Sequence, residues 1–101
     1  MKRFNLSDEA KQDLKDIKAH LTQESGVQAS RYVLSRIKEG MEFLSRIPGA
    51  GHLREDLTDD DLKFWPVFSY LIIYNANTRP IGIVRVLHGN RDVSEILSQV
   101  D

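Results

Sequence analysis

The chain has 101 residues, of which 41% are hydrophobic and 29% are charged, and it contains no cysteine. This profile predicts a single globular domain over residues 1–101 and excludes disulfides, thiolate metal sites and a thiol nucleophile. The 14 basic and 15 acidic residues give a net charge of −1, which argues against strong direct binding to nucleic acid, because phosphate neutralisation needs a basic excess. The N-terminus has no signal-peptide pattern and no long apolar run follows it, so we expect a cytoplasmic protein with no membrane association.

Two amphipathic helices are predicted in the first half of the chain. A short alternating segment at residues 3–6 is followed by Ser7, which is a typical N-cap residue, and apolar residues at helical spacing then predict a helix over residues 8–23. Gly26 interrupts this pattern, and a second apolar stripe predicts a helix over residues 27–46. The intervening segment is so short that the helices must form an antiparallel hairpin. The polar face of the first helix is expected to carry Lys11, Asp13, Lys15, Asp16 and Lys18.

The second half of the chain predicts a sheet. Residues 52–61 contain five acidic residues and are interpreted as a solvated loop. Three runs rich in aromatic and β-branched residues then predict strands over residues 62–67, 68–74 and 81–88. The polar segment between the last two has the composition of a hairpin loop, which makes that pair antiparallel. Pro66 lacks an amide donor, which places its strand at an edge or gives it a bulge.

The strand at residues 81–88 is apolar on both faces and is therefore expected at the centre of the sheet. Strict alternation would divide its apolar residues into two sets, with Ile81, Ile83 and Leu87 on one face and Val84 and Val86 on the other.

A short terminal helix is predicted after this strand. Asp92 and Glu95 have the spacing of a capping box, and the helix would contain Ile96, Leu97 and Val100. The complete order predicts an α+β fold with an N-terminal strand, an antiparallel helical hairpin, a three-stranded antiparallel meander and a short C-terminal helix.

Few residues have the patterns of known catalytic or metal sites. The three histidines, His20, His52 and His88, are never three or four residues apart, so no metal site is expected on a helix face. The glycines lie in turns without a phosphate-loop pattern, and no serine has a nucleophile-elbow pattern around it. We therefore expect neither a metal nor a cofactor.

Arg85 lies midway along the central strand, where an unpaired charge would be very unfavourable. Two interpretations stay open. Arg85 either forms an ion pair with an acid on the packed helices, or it joins His88 and Arg91 in a small anion-binding patch. His88 at the strand end and Arg91 beyond a tight turn can both reach solvent, although His88 could equally serve to stabilise the turn.

Three large aromatic residues, Phe64, Trp65 and Phe68, fall within five consecutive positions. They must face both sides of their strand, so they either belong to the core or include a groove for a partner protein.

Four segments resemble, in order, the RelE/ParE superfamily of toxins from type II toxin–antitoxin systems. They are Phe4–Ile17, Ile47–Gly51 with the following Arg54–Leu57, Tyr70–Tyr74 and Ile83–Asp92, and the last is most similar to the ParE branch. The resemblance covers nearly the whole chain and implies the same element order. It also implies a toxin that a cognate antitoxin neutralises in a hetero-oligomer, by wrapping an extended or helical segment around the helices and the sheet.

The resemblance implies one of two activities. RelE-type members cleave messenger RNA on the ribosome with basic side chains and often a tyrosine near the C-terminus. Here Arg91 matches one basic position, but Leu97 stands where that tyrosine is expected. ParE-type members lack this nuclease set and poison DNA gyrase, and we therefore favour a non-enzymatic gyrase inhibitor.

Candidate residues follow from each activity. For the gyrase inhibitor, the toxicity candidates are His88 and Arg91, and the antitoxin-binding candidates are Phe64, Trp65 and Phe68. For the alternative, a ribosome-dependent endoribonuclease, the catalytic candidates are Arg91, His88, Arg85 and Lys63.

Overall fold

The computed structural model describes residues 3–99. Its two long helices are α1, Asp8–Ser25, and α2, Val27–Arg46. Helix α1 begins where the Ser7 hydroxyl accepts the Ala10 N–H at 2.9 Å, which satisfies one of the free amides of the first turn. Gly26, with a φ of 92°, ends α1 and begins α2, so the chain reverses direction at one residue that tolerates this conformation. The predicted helical hairpin is confirmed, with α1 ending two residues later than expected.

A five-stranded sheet packs against this hairpin. Its strands are β1, Phe4–Leu6; β2, His52–Leu53; β3, Lys63–Val67; β4, Tyr70–Asn75; and β5, Ile81–His88. The spatial order is β1-β5-β4-β3-β2, with β1 parallel to β5 and every other neighbouring pair antiparallel. The predicted meander is confirmed, and β5 is an interior strand between β1 and β4, although β4 is the middle strand of the five. A 3₁₀ helix at Pro48–Ala50 and the terminal helix α3, Val93–Ser98, complete the described elements, and the predicted helical residue Val100 lies outside them.

Strand β2 was not predicted from the sequence, whereas Pro66 fits one of the two alternatives given for it. Residues 52–53 were expected in a loop but form β2, which pairs with Lys63 and Phe64 of β3. Two residues are too few to show an alternating pattern, so the strand depends on its neighbour. Pro66 lies beyond the reach of β2 and in regular register with β4, so it occupies an open edge and not a bulge.

A bulge lies instead between β4 and β5, where Val84 has no partner on β4. One extra residue reverses the face to which all later side chains point. Ile81, Ile83 and Val86 therefore pack toward the helices, while Val84 and Leu87 pack on the opposite face. The prediction from strict alternation was wrong for Val86 and Leu87, because it assumed a regular strand.

The bulged part of β5 extends beyond β1, and groups at the start of α1 bond its exposed edge. The Ser7 N–H donates to the Ile83 carbonyl at 3.0 Å, and the Ser7 hydroxyl donates to the Val84 carbonyl at 2.6 Å. Asp13 of α1 accepts the Val86 N–H at 3.0 Å. These bonds fix α1 along the second half of β5 by satisfying backbone groups that would otherwise be buried without partners.

Apolar residues are buried on both faces of the sheet. The larger cluster lies between the sheet and the two long helices, and its buried members include Ile17, Ile37, Leu44, Ile72, Tyr74 and Ile81. The smaller cluster on the opposite face is covered by α3 and the loop before β3, and its buried members are Phe64, Ile73, Leu87, Val93 and Leu97. The short terminal helix is therefore needed to cover the second face.

Candidate functional site

Arg85 forms a buried ion pair with Asp13 of α1. The guanidinium donates two hydrogen bonds of 2.7 Å to the two carboxylate oxygens, and the side chains of Arg85 and Asp13 are only 16% and 6% exposed. The hydrogen bond to Asp13 raises the pKa of Arg85, against the opposing effect of desolvation. The ion-pair interpretation is confirmed, and Arg85 is not free to bind an external anion.

Asp13 was expected on the polar face of α1 and is instead buried. The burial of Asp13 could have been predicted from its spacing, because it lies three residues after Ala10 and four before Ile17, both of which face the core. An acid within an apolar stripe requires a buried partner.

A groove lies where α1 passes the end of β5, with a volume of about 370 Å³. One wall is α1, which contributes Asp16 and His20, and the other is the sheet, which contributes Tyr70 and His88. Arg91 reaches the same groove from the turn after β5. The structure therefore brings together the two toxicity candidates, His88 and Arg91. It also adds Tyr70, His20 and Asp16, which the sequence did not indicate because they come from distant segments.

His88 stabilises the turn after β5, which is one of the two roles considered for it. Its Nδ1 accepts the Asn90 N–H at 3.2 Å, which stabilises the turn after β5. Because the Asn90 N–H points at Nδ1, this nitrogen is the acceptor of the neutral ring and Nε2 is its N–H donor. The ring also packs edge-on against Tyr70, with 5.1 Å between the ring centroids. The backbone contact thus leaves Nε2–H as a donor at the groove.

Tyr70 presents a second donor. The residue is 7% exposed, and burial raises the pKa of its phenol. Its ring belongs to the helix-facing core, yet the residue lines the groove, where its hydroxyl is open to solvent and bonds no other residue within 3–99. At neutral pH the hydroxyl is therefore protonated and available to a ligand.

Lys63 lies far from the groove. It pairs with Tyr74 across β3 and β4, whereas His88 pairs with Tyr70, at the other end of β4. Four residues of strand separate these positions by roughly 13 Å along the strand direction. With Lys63 distant and Arg85 bound to Asp13, the four candidate nuclease residues are not assembled in one place.

Two of the three aromatic candidates lie on opposite faces of β3. Phe64 is 2% exposed and belongs to the smaller core cluster, so it is not available on the surface. Trp65 is half-buried on the helix-facing side, with its ring 5.3 Å from that of Phe43 and stacked on His52 at 6.3 Å. Phe64 therefore serves the core, and only Trp65 of this pair reaches the surface.

Phe68 is the most exposed of the three aromatic candidates. The strand predicted to start at this residue starts at Tyr70, and Phe68 forms a tight turn with Ser69. Its φ is 55°, a conformation that is strained for a bulky residue. The side chain is 57% exposed and lies against α2. The centroid of its ring is 5.8 Å from that of Tyr32 and 5.8 Å from Cζ of Arg36.

Trp65 and Phe68 share a surface depression of about 380 Å³ with Arg36 and Phe43. We define the aromatic surface as Tyr32, Arg36, Phe43, Trp65 and Phe68. It is separate from the groove at the end of β5.

Within residues 3–99, no three histidine, aspartate or glutamate side chains form a group that could hold a metal ion. The helices of the same range include none with the length and apolarity required to cross a bilayer.

Comparison with known proteins defines the class. The structure is similar to a solved chain described as "Chromosomal ParDE TA system from P. aeruginosa", with a TM-score of 0.72, 16% identity, and coverage of 84% of this chain and 92% of that chain. At this identity the likeness concerns the fold. No curated protein matches the sequence. Residues 4–93 match the family described as "ParE toxin of type II toxin-antitoxin system, parDE", which makes the protein a toxin of such a system.

The chain belongs to the ParE toxin family. This confirms the resemblance to the ParE branch drawn from the sequence, and the fold agrees with it.

Proposed function

We propose that this toxin poisons DNA gyrase and that a cognate antitoxin neutralises it in a toxin–antitoxin complex. The match of residues 4–93 to the ParE family carries the proposal. The positions of Arg85 and Lys63 support it over RNA cleavage, because the first is bound to Asp13 and the second lies at the far end of the sheet. His88 and Arg91 are the proposed target contacts, since both line the groove at the end of β5.

Expression without antitoxin, followed by assays on purified protein, tests this proposal. The toxin should arrest growth and should inhibit gyrase supercoiling or accumulate cleaved DNA, and His88→Ala and Arg91→Ala should weaken both effects. Arg79→Ala is the matched control, because Arg79 is an exposed arginine in the β4–β5 loop that bonds only backbone carbonyls. Folded toxin that arrests growth without affecting gyrase would contradict the proposal. Ribosome-dependent messenger cleavage that disappears in Arg91→Ala would favour the nuclease alternative.

We propose that the antitoxin contacts the aromatic surface. Exposed aromatic side chains that can be buried against a partner contribute strongly to protein interfaces, and this surface has Tyr32 and Phe68 at its centre with Arg36 beside them. The backbone strain at Phe68 adds support, because folding alone would favour asparagine or glycine at a position with positive φ.

The substitution Phe68→Asn separates stability from binding. Asparagine tolerates a positive φ, so relief of strain should raise the unfolding free energy of the free toxin by about 1 kcal/mol. Loss of the few contacts that the exposed Phe68 ring makes would reduce this gain. Antitoxin affinity should fall at least about tenfold because a central aromatic contact is lost. Urea unfolding and calorimetric titration measure the two quantities.

Phe68→Ala is the control for strain, because it removes the ring and keeps a residue that disfavours positive φ. It should lose affinity without gaining stability. Leu53→Ala, at an exposed apolar residue of β2, is the control for general loss of apolar surface. Unchanged affinity in both Phe68 variants would place the antitoxin elsewhere, while the wild-type toxin should still gain thermal stability on antitoxin binding.

A further inference from the structure

Besides those of His20 and Asn90, the groove at the end of β5 is lined by three hydrogen-bond donor groups without partners among the described residues. They are the Tyr70 hydroxyl, the Nε2–H of His88 and the guanidinium of Arg91. Tyr70 is the most informative, because its ring is buried while its hydroxyl is open to the groove and bonds no other residue within 3–99. Donors in this position suit a ligand group that only accepts hydrogen bonds.

The acids of the groove limit the charge of that ligand. Both oxygens of Asp13 are already bound, by Arg85 and by the Val86 N–H. Asp16 on the opposite wall is an exposed carboxylate that accepts one hydrogen bond from Gln12 at 2.9 Å. A phosphate group carries close to two charges at neutral pH, and a nucleic-acid strand adds one for each nucleotide, so both meet more repulsion here than a single carboxylate does.

We propose that this groove binds one carboxylate group, supplied by an aspartate or glutamate side chain of a protein partner. Arg91 would pair with the carboxylate in the planar, two-bond geometry that arginine favours, and Tyr70 and His88 would donate to its oxygens. The inference rests on the proposed function in one respect, which is that a protein target is contacted through His88 and Arg91. It adds the chemistry of the contact and a third residue, Tyr70.

The test is an NMR titration of the purified toxin, at neutral pH and low salt, with hexaglutamate, hexaglutamine, inorganic phosphate and a single-stranded oligonucleotide. Hexaglutamate should shift the resonances of the His88 imidazole, the Tyr70 ring and the Arg91 guanidinium, and hexaglutamine should not. Arg91→Ala should weaken hexaglutamate binding about tenfold, and Tyr70→Phe about fivefold, as expected for loss of a charged and a neutral hydrogen bond.

Two controls test whether a loss of hexaglutamate binding reflects unfolding of the toxin or only the loss of one positive charge. Tyr70→Phe should keep the melting temperature of the wild type, since the hydroxyl bonds no described residue. Arg79→Ala removes one exposed arginine at the loop that joins β4 to β5, away from the groove, and should leave binding unchanged.

Several outcomes would overturn the carboxylate site. They are equal shifts with hexaglutamine, tighter binding of phosphate or the oligonucleotide at the same resonances, or equal effects of Arg79→Ala and Arg91→Ala. Gyrase inhibition by wild-type toxin that does not bind hexaglutamate would also overturn it while leaving the proposed function intact. Hexaglutamate binding without any effect on gyrase would contradict only the proposed target.

Discussion

Asp13 satisfies three donors with one carboxylate, two from the Arg85 guanidinium and one from the Val86 backbone. Asp13→Ala would therefore leave a largely buried guanidinium and a buried N–H without partners. Removing one member of a buried ion pair costs about 3 kcal/mol or more, and we expect a loss of unfolding free energy of this size. Urea unfolding at neutral pH measures it.

Asp16→Ala is the matched control for Asp13→Ala, because it removes an exposed acid from the same helix and should change the urea midpoint little. Replacing both members of the pair, in Asp13→Leu with Arg85→Met, should recover much of the loss, since apolar residues of similar size need no partner. A double variant as unstable as Asp13→Ala would show that the carboxylate acts mainly on the backbone of β5.

The residue scale also shows how far the candidate site could be predicted. The sequence identified His88 and Arg91 because a turn signal after a strand places polar residues in solvent. It could not identify Tyr70 or His20, because only the packing of α1 across the strand ends brings them to the same groove. The choice between an ion pair and an anion patch for Arg85 also required knowing which acid of α1 faces β5.

At the scale of elements, local chemistry explains which parts were predictable. Both helices could be delimited because Ser7 and Gly26 act within one turn of the residues they cap. The bulge at Val84 could not be predicted from alternation, because it reflects long-range bonding: the edge of β5 beyond β1 is bonded by Ser7 and Asp13. Strand β2 was missed for the same reason, since β3 defines it.

Tyr74 connects three elements in the interior. Its hydroxyl donates to the Pro48 carbonyl at 2.6 Å and accepts the Gly51 N–H at 2.9 Å, which ties β4 to the 3₁₀ helix and the start of β2. The fit is close, because a Cβ added at Gly51 would lie 2.7 Å from Cε1 of Tyr74.

Tyr74→Phe should therefore destabilise the protein by about 1–3 kcal/mol, because two backbone groups lose a buried partner. Hydrogen exchange of the Gly51 amide should accelerate more than that of amides in the middle of β5, since the 3₁₀ segment loses its two hydrogen bonds to the Tyr74 hydroxyl. Tyr70→Phe is the control, with no such bond to lose. Unchanged protection at Gly51 would contradict the attachment.

At the scale of the whole molecule, burial of two phenols in the core makes stability depend on alkaline pH. Burial raises the pKa of Tyr70 and of Tyr74, and in Tyr74 the hydrogen bond from Gly51 opposes the shift. Tyrosine in an unfolded chain ionises at a pKa of about 10. Above that pH the unfolded chain has released these protons while the folded protein still holds them, so the folded state binds more protons and stability falls as pH rises.

The contribution of these phenols is fully present below about pH 10 and is lost as pH rises through their folded pKa values. The urea midpoint of the wild type should therefore fall steadily above that pH. Tyr70→Phe should reduce the slope with little change at neutral pH, whereas Tyr74→Phe should reduce it from an already lower starting stability. The combined variant should have the flattest curve, because neither phenol is left to ionise on unfolding. Parallel curves for all four proteins would mean that other groups cause the alkaline unfolding and that burial of these two rings does not favour the protonated phenols.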